Sequence, residues 1–419
     1  MSETMAIRIP TVSRVRPGQR YRTFGPLLLA VAGAEVARRV LTPRSAPIEP
    51  APVRADRYFS AEEMRRGAGY ARPQRALALI RAGIELAAVT VVVARPPTAP
   101  QWADRRPALG GVVGSGLLSA LLVLPALPLS AVARRRAVIV GLDTQSWRAW
   151  GIDLGKAAGI QAVLVGGAGG AVVALMQRYP RGWWGPAAAG SVIFGAALAA
   201  LAPVLLDPVF NDFTPLPEGQ TRSDVLDLAR RAGIRVGEVY SVDASRRTTA
   251  ANAYVAGLGP SKRVVMFDTL LDRYSRDEVR MVLAHELGHV RYRDVPRNVA
   301  YAALVAPGAT LAIQRLSWAL SLERGTPGAL PALALATALV SVPLGLIGNR
   351  LSRALERRAD QYSLELCRAP EAFISFERTI ALQNLADLDP PRWVSRLLAT
   401  HPPTLERIGA AEAFAAAAA

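Results

Sequence analysis

The chain has three histidines in 419 residues, and two of them, His285 and His289, stand four positions apart in "HELGH". On a helix that spacing is close to one turn, so both imidazoles project from one face. A tetrahedral Zn2+ accepts two such nitrogens at about 2.0–2.1 Å. Glu286 follows the first histidine and sits beside that face, placed to take a proton from an activated water rather than to ligate. A His-Glu-x-x-His string arises readily by chance, but less readily in a chain this poor in histidine. Gly288 adds to the case, because glycine inside a helix costs about 1 kcal/mol against alanine. Close approach of a second backbone would explain that cost. The plainer reading, two surface histidines on a helix, accounts for neither the scarcity nor the glycine.

The helix that must carry the pair is legible. Val282, Leu283, Leu287 and Val290 recur at helical spacing and predict a helix over 277–292. Ser275, with Glu278 three residues on, has the form of a capping box at its start. A hydrolytic zinc also needs a third protein ligand and one open position. No spare histidine lies nearby, so the candidates are carboxylates. The segment "NRLSRALERRADQYSLEL" (349–366) reads as a second helix, with Glu356 and Asp360 on one face. Glu356 is the candidate third ligand to a single zinc ion per chain. Asp360 is placed to accept a hydrogen bond from a ligand histidine's outer nitrogen, which would fix its tautomer. The competing reading of this segment is a solvated helix with arginine and glutamate paired at i,i+4.

Elsewhere the composition is that of a membrane protein. Hydrophobic residues make up 51% of the chain and the mean hydropathy is +0.21. The excess collects in runs of about 20 residues, the length a helix needs to cross hydrocarbon. These runs predict spans near 76–95, 109–131, 155–176, 184–206, 299–320 and 328–349. A shorter patch, "GPLLLAVAGA" (25–34), runs into Glu35, Arg38 and Arg39, so a seventh span within 25–42 stays open. Residues 1–23 are polar and basic and suggest no ordered structure. Within the third span "GGAGG" (166–170) predicts close helix packing. Arg81 and Glu85, four apart in the first span, read either as a same-face ion pair or as a pair facing a cavity. Arg315 is expected to snorkel to the interface. The single cysteine, Cys367, excludes an internal disulfide and is expected to be buried and inert.

Charge sets the orientation. The net charge is +17, nearly all from arginine, with Lys156 and Lys262 the only lysines. No basic helix interleaved with aromatics and no nucleic-acid motif is present, so the bilayer, not nucleic acid, is the partner this charge implies. With six spans, residues 1–75, 132–154, 207–298 and 350–419 share one side, and that side holds most of the arginine. The positive-inside rule makes it cytoplasmic. Two spans separate Gly288 from Arg350, an even number that returns the chain to the same side and lets Glu356 reach the histidines. The expected fold is mostly α, a polytopic membrane helix bundle. It divides into a basic region (1–75), a four-span domain (76–206), a metallopeptidase domain interrupted by two spans (207–410) and an alanine-rich tail (411–419). The arginine bias and the lack of targeting tails suggest a bacterial cell membrane.

"HELGH" followed, after two spans, by "SRALERRAD" resembles the integral-membrane zinc metalloproteases of the CAAX prenyl protease and HtpX type. "LDPVFNDFTPLPEG" (206–219), "DASRRTTAANAYVAGLGPSKRVVMFDTLL" (243–271) and "THPPTLERI" (400–408) are similar to further segments of that family. Val255 stands where prenyl proteases usually carry phenylalanine. The resemblance implies a zincin-like α+β catalytic domain with a small edge sheet, and zinc on His285, His289 and Glu356. It also implies Glu286 as catalytic acid/base, with Asn252, Ala253 and Tyr254 pairing with the substrate backbone. His401, held in a turn by the two prolines that follow it, would lie near the scissile carbonyl and stabilise the oxyanion. The partner would be a protein or peptide substrate, lipidated or not. Two alternatives stand beside a CAAX-type protease: an HtpX-like quality-control protease, and a non-enzymatic membrane scaffold that kept a zinc site.

Overall fold

The structure is a computed structural model that describes residues 17–44, 48–257 and 262–418. In chain order the helices begin with α1 (Pro17–Leu41), α2 (Ala61–Ala94), α3 (Gln101–Arg105) and α4 (Pro107–Val123). Next come α5 (Leu127–Ile139), α6 (Trp147–Arg178), α7 (Trp184–Leu205) and α8 (Asp207–Phe210). A mixed region follows: β1 (Phe213–Pro215), α9 (Gln220–Arg231), β2 (Glu238–Val242), β3 (Ala253–Ala256), β4 (Arg263–Phe267) and α10 (Asp268–Arg273). The chain closes with α11 (Arg276–Arg291), α12 (Asp294–Leu320), α13 (Leu330–Cys367), α14 (Pro370–Gln383) and α15 (Thr404–Ala418).

Among the described residues six helices are long and apolar enough to cross a membrane: α2, the α4–α5 unit, α6, α7, α12 and α13. They expose large apolar side chains such as Leu79, Leu121, Val163, Ile193, Leu304 and Val342. A contiguous apolar exterior of this kind is stable in lipid and not in water. The protein is an integral multi-pass membrane protein. Small residues draw α4 and α6 together, and a Cβ added at Gly111 would stand 3.0 Å from the Gly170 Cα. That is the close packing "GGAGG" predicts. Arg81 and Glu85 form an i,i+4 ion pair at 3.5 Å with both side chains partly exposed, the same-face reading.

Two elements differ from the sequence expectation. Of the stretch 1–23, residues 1–16 lie outside the described residues, but Pro17 already begins α1. That helix is not a short patch. Its small face, Ala30, Ala34 and Ala37, is buried against Val305 and Ala312 of α12 and Val340 of α13. Leu27 packs in the same cluster as Leu316, whereas Ala37 shares a cluster with Tyr301, so α1 runs beside most of the length of α12. A helix shielded by protein on one face needs fewer apolar residues than one surrounded by lipid, which is why its hydropathy understates it. The second difference is α13. The sixth span and the segment 349–366 are one unbroken helix, because neither glycine nor proline interrupts the backbone between Asn349 and Cys367.

The sheet has the order β1-β2-β4-β3. β2 and β4 are parallel and the outer pairs antiparallel. β3 pairs only with β4 among the described residues, with Ala253 opposite Met266 and Ala256 opposite Arg263. It is an edge strand. Val239, Val264, Met266 and Ala253 on one sheet face close a core with Leu228 of α9 and Val279, Leu283 and Leu287 of α11. This core fixes α11 against the sheet.

Candidate metal centre

α11 starts where the sequence says it should: Ser275 accepts from the Glu278 N–H and Glu278 answers at the Ser275 N–H. Its apolar face is buried in the core just described, which turns His285 and His289 toward α13. The two helices meet at Gly288, where an added Cβ would stand 3.3 Å from the Ala359 Cα and 3.2 Å from the Tyr362 ring. A side chain at position 288 would push α13 away. The glycine thus permits the approach that brings Glu356, one turn before Ala359, onto the histidines.

The ligand atoms of His285, His289 and Glu356 lie within 4.8 Å of one another. His285 Nε2 is 3.1 Å from His289 Nε2 and 3.3 Å from Glu356 Oε2, and His289 Nε2 is 3.6 Å from Glu356 Oε1. Glu356 Oε2 is buried and lacks a hydrogen-bond donor. A buried carboxylate oxygen without a donor is costly, and a cation between these atoms would satisfy it. Two imidazoles and one carboxylate are also a donor set that suits zinc. Burial works against charge on His285, yet the Asp360 and Glu356 carboxylates hold its pKa up at about 10. The same field favours a bound cation. The residues fit the metal.

The outer imidazole nitrogens face carboxylates. Asp360 Oδ1 lies 2.9 Å from His285 Nδ1, the placement expected of Asp360. His289 has a partner the sequence reading missed: its Nδ1 lies 2.8 Å from Asp294 Oδ2. Arg293, with φ 55°, makes the left-handed joint between α11 and α12 that points Asp294 back at His289. Arg358 donates to the other oxygen of Asp294. Arg407 was also missed as a site residue. It donates from Nε and Nη2 to Asp360 at 2.9 and 2.5 Å, and its Nη1 lies 2.5 Å from Glu377 Oε1. Asp294 and Arg407 both lie in or beside the motifs, in "HVRYRD" and "THPPTLERI", where a search for carboxylate and guanidinium partners would have found them. Glu377, inside an ordinary amphipathic helix, gave no signal.

Glu286 sits at the rim of the cluster with no hydrogen-bond or ion-pair partner among the described residues. Burial raises its pKa, the direction a general base working near neutrality requires. His401, in the turn between the π-helical stretch Val394–Leu398 and α15, brings Nε2 to 3.4 Å from Glu356 Oε2. Its Nδ1 is 2.9 Å from Thr400 Oγ1, and the ring is 63% exposed, so it flanks the cluster from the solvent side. Asn252 is exposed just before the edge strand, its carbonyl accepting from the Phe267 N–H. Ala253 is buried in the core. The Tyr254 hydroxyl donates to Asp207 at 2.8 Å, so this side chain ties the strand to α8. Cys367 is partly buried against the Arg280 carbonyl, away from the cluster.

The family model described as Peptidase family M48 matches residues 215–415. A protein named "Uncharacterized metalloprotease YhfN" from Bacillus subtilis (strain 168) is 32% identical over 311 residues, covering 71% of this chain and 72% of that protein. The CAAX prenyl protease 1 homolog of Oryza sativa subsp. japonica is 31% identical over 225 residues, covering 51% of this chain and 52% of the rice protein. Among solved structures, S. mikatae Ste24p superposes with a TM-score of 0.73 at 20% identity, covering 94% of this chain and 98% of that one. The fold, the motifs and these relatives agree that the chain belongs to peptidase family M48, among the membrane metalloproteases that include the CAAX prenyl proteases.

Proposed function

We propose that this protein is a zinc-dependent endopeptidase, holding one zinc per chain on His285, His289 and Glu356. Its proposed substrates are membrane-associated or C-terminally processed proteins, in the manner of a CAAX protease. The observation that carries the reading is the convergence of three ligand atoms within 4.8 Å beside Glu286, a carboxylate with no other partner. When bound, zinc would polarise the scissile carbonyl and make a water acidic enough to attack near neutral pH. Glu286 takes the attacking water's proton on its carboxylate and delivers it to the leaving nitrogen. His401 Nε2 donates to the oxygen that gains charge in the tetrahedral state. Asp360 and Asp294 hold the two imidazoles in orientation. The substrate lies extended along the free edge of β3 beside Asn252, Ala253 and Tyr254, where the backbone groups that do not face β4 offer strand-like hydrogen bonds. The Asn252 carbonyl is not one of them, since it accepts from the Phe267 N–H.

The membrane and the side of action belong to the same reading. Arginine crowds the chain ends of the spans on the metal-bearing side, which supports a cytoplasmic site in a bacterial cell membrane. Residues 207–410 act as the metallopeptidase domain, with α12 and part of α13 passing through the bilayer.

Purified protein should contain one zinc per chain by elemental analysis and cleave a farnesylated C-terminal peptide in a chelator-sensitive way. Equal cleavage of unprenylated, misfolded membrane proteins would transfer the assignment to quality control. No cleavage of either, with zinc bound, would leave a scaffold. Topology has its own check. In a Cys367→Ser background, Leu322→Cys, at a position 93% exposed in the short loop before α13, should react with an impermeant thiol reagent on intact cells. Ser223→Cys, on α9, should react only after permeabilisation. The reverse pattern would put the site on the outer face.

A further inference from the structure

Beside the metal centre lies a cavity of about 560 Å3 lined by seven arginines and one glutamate. Four of the arginines, Arg350, Arg353, Arg357 and Arg358, come from α13 directly after its apolar stretch. Arg38 comes from the end of α1, and Arg392 and Arg396 from the segment leading into the turn of His401. An arginine excess around span ends is ordinary, but it does not ordinarily converge on one concavity from three separate parts of the chain. Like charges gathered this way repel one another unless counter-charges are supplied.

The chain supplies some. Arg38 and Arg350 share Glu35, Arg357 pairs with Glu406, and Arg358 with Asp294. Arg353 donates to the backbone carbonyls of Ala399 and Arg396. Arg392 and Arg396 have no side-chain partner among the described residues, and both are exposed. The wall of the cavity therefore carries guanidinium groups with open donors.

The depth of the cavity selects the occupant. Asn349, at the end of the apolar part of α13, donates to the carbonyls of Leu397 and Leu398 at 2.9 and 3.3 Å. That bond holds the segment 394–398 at the level where α13 leaves the apolar layer. On this segment Trp393 and Leu397 are 50% and 43% exposed, interleaved with Arg392 and Arg396. Exposed tryptophan and leucine alternating with arginine is the composition of a stretch lying in the membrane interface. A cavity opening there, lined by guanidinium, matches the phosphate of a lipid headgroup, which arginine binds through paired hydrogen bonds.

We propose that this cavity binds the phosphate headgroup of an anionic phospholipid, with Arg392 and Arg396 supplying donors that the protein leaves unused. The bound lipid would hold the metal-bearing end of α13 and the His401 turn at a fixed depth.

The test uses the full-length protein in detergent micelles. Native mass spectrometry would follow binding of dioleoyl phosphatidylglycerol, with dioleoyl phosphatidylcholine and inorganic phosphate as comparators. The wild type is expected to retain phosphatidylglycerol under conditions that strip phosphatidylcholine. Arg392→Gln/Arg396→Gln should bind it at least about tenfold more weakly, as expected for two lost charge-assisted hydrogen bonds. Arg392→Lys/Arg396→Lys should keep most of the binding. Both variants should keep wild-type metal content and cleavage of soluble casein, since neither residue touches the metal cluster. Unchanged phosphatidylglycerol binding in the glutamine variant overturns the proposal. So does inorganic phosphate binding as tightly as the lipid, which would make this a free-phosphate site. Displacement of the lipid by a peptide with a free C-terminal carboxylate that the enzyme cuts also overturns it, by making the cavity a substrate subsite.

Discussion

Glu286→Gln is expected to leave the metal in place and to slow peptide cleavage by about 10²–10⁴-fold, the usual range for a lost general base. The amide has nearly the shape of the carboxylate, so the surrounding structure is unchanged, but it cannot take the water's proton. Metal should stay because the three converging ligand atoms belong to His285, His289 and Glu356. Glu356→Ala is the contrasting variant: it removes a ligand and should lose metal and cleavage together. Elemental analysis with a casein or peptide assay separates the two effects. Near wild-type cleavage by Glu286→Gln would sink the hydrolase mechanism, and full metal in Glu356→Ala would mean that a different carboxylate ligates.

The second large effect is on stability. Arg407 is held between Asp360 and Glu377, and both carboxylates are buried. Burial pushes the Glu377 carboxyl up to about 7 even with the guanidinium beside it. Arg407→Ala would leave these two groups facing each other without a cation. Breaking a buried pair by removing one partner costs about 3–5 kcal/mol, much of the stability of an ordinary domain. Denaturant unfolding in detergent should show that loss. Arg407→Lys should recover only part of it, because one ammonium cannot reproduce the forked contacts to Asp360 and Glu377. Adding Glu377→Gln to Arg407→Ala should recover little, because a Glu377 carboxyl raised this far takes up a proton once the guanidinium is gone, and the stranded charge is that of Asp360. A loss below about 1 kcal/mol, the worth of an exposed pair, would mean that water reaches this network.

What could be read from the sequence follows from how local each feature is. The α11 helix, its capping box and the histidine pair depend on residues within a few turns of one another. Gly288 announced a close contact but not its partner. Ala359 lies across a two-span excursion, and only the fold brings it there. That Glu356 and Asp360 could come beside the histidines was readable because an even number of spans must return the chain to the same side. Asp294 and Glu377 were not, since their roles depend on the reversal at Arg293 and on how α14 docks. α1 was underestimated for a related reason: hydropathy measures affinity for lipid, and this helix buries its alanines against protein.

The continuity of α13 turns the helix into a depth gauge. From Asn349, where the apolar stretch ends, to Glu356 there are seven residues without a break in the backbone. At 1.5 Å per residue that sets Glu356, and with it the proposed metal site, about 10 Å beyond the apolar boundary. An extended chain covers about 3.3 Å per residue. A substrate tethered in the bilayer therefore needs about three residues of free chain between its anchor and the bond to be cut, and a shorter tether leaves that bond out of reach unless the anchor is lifted from the lipid. Lengthening α13 by one turn between Asn349 and Arg353 would shift that requirement by about two residues.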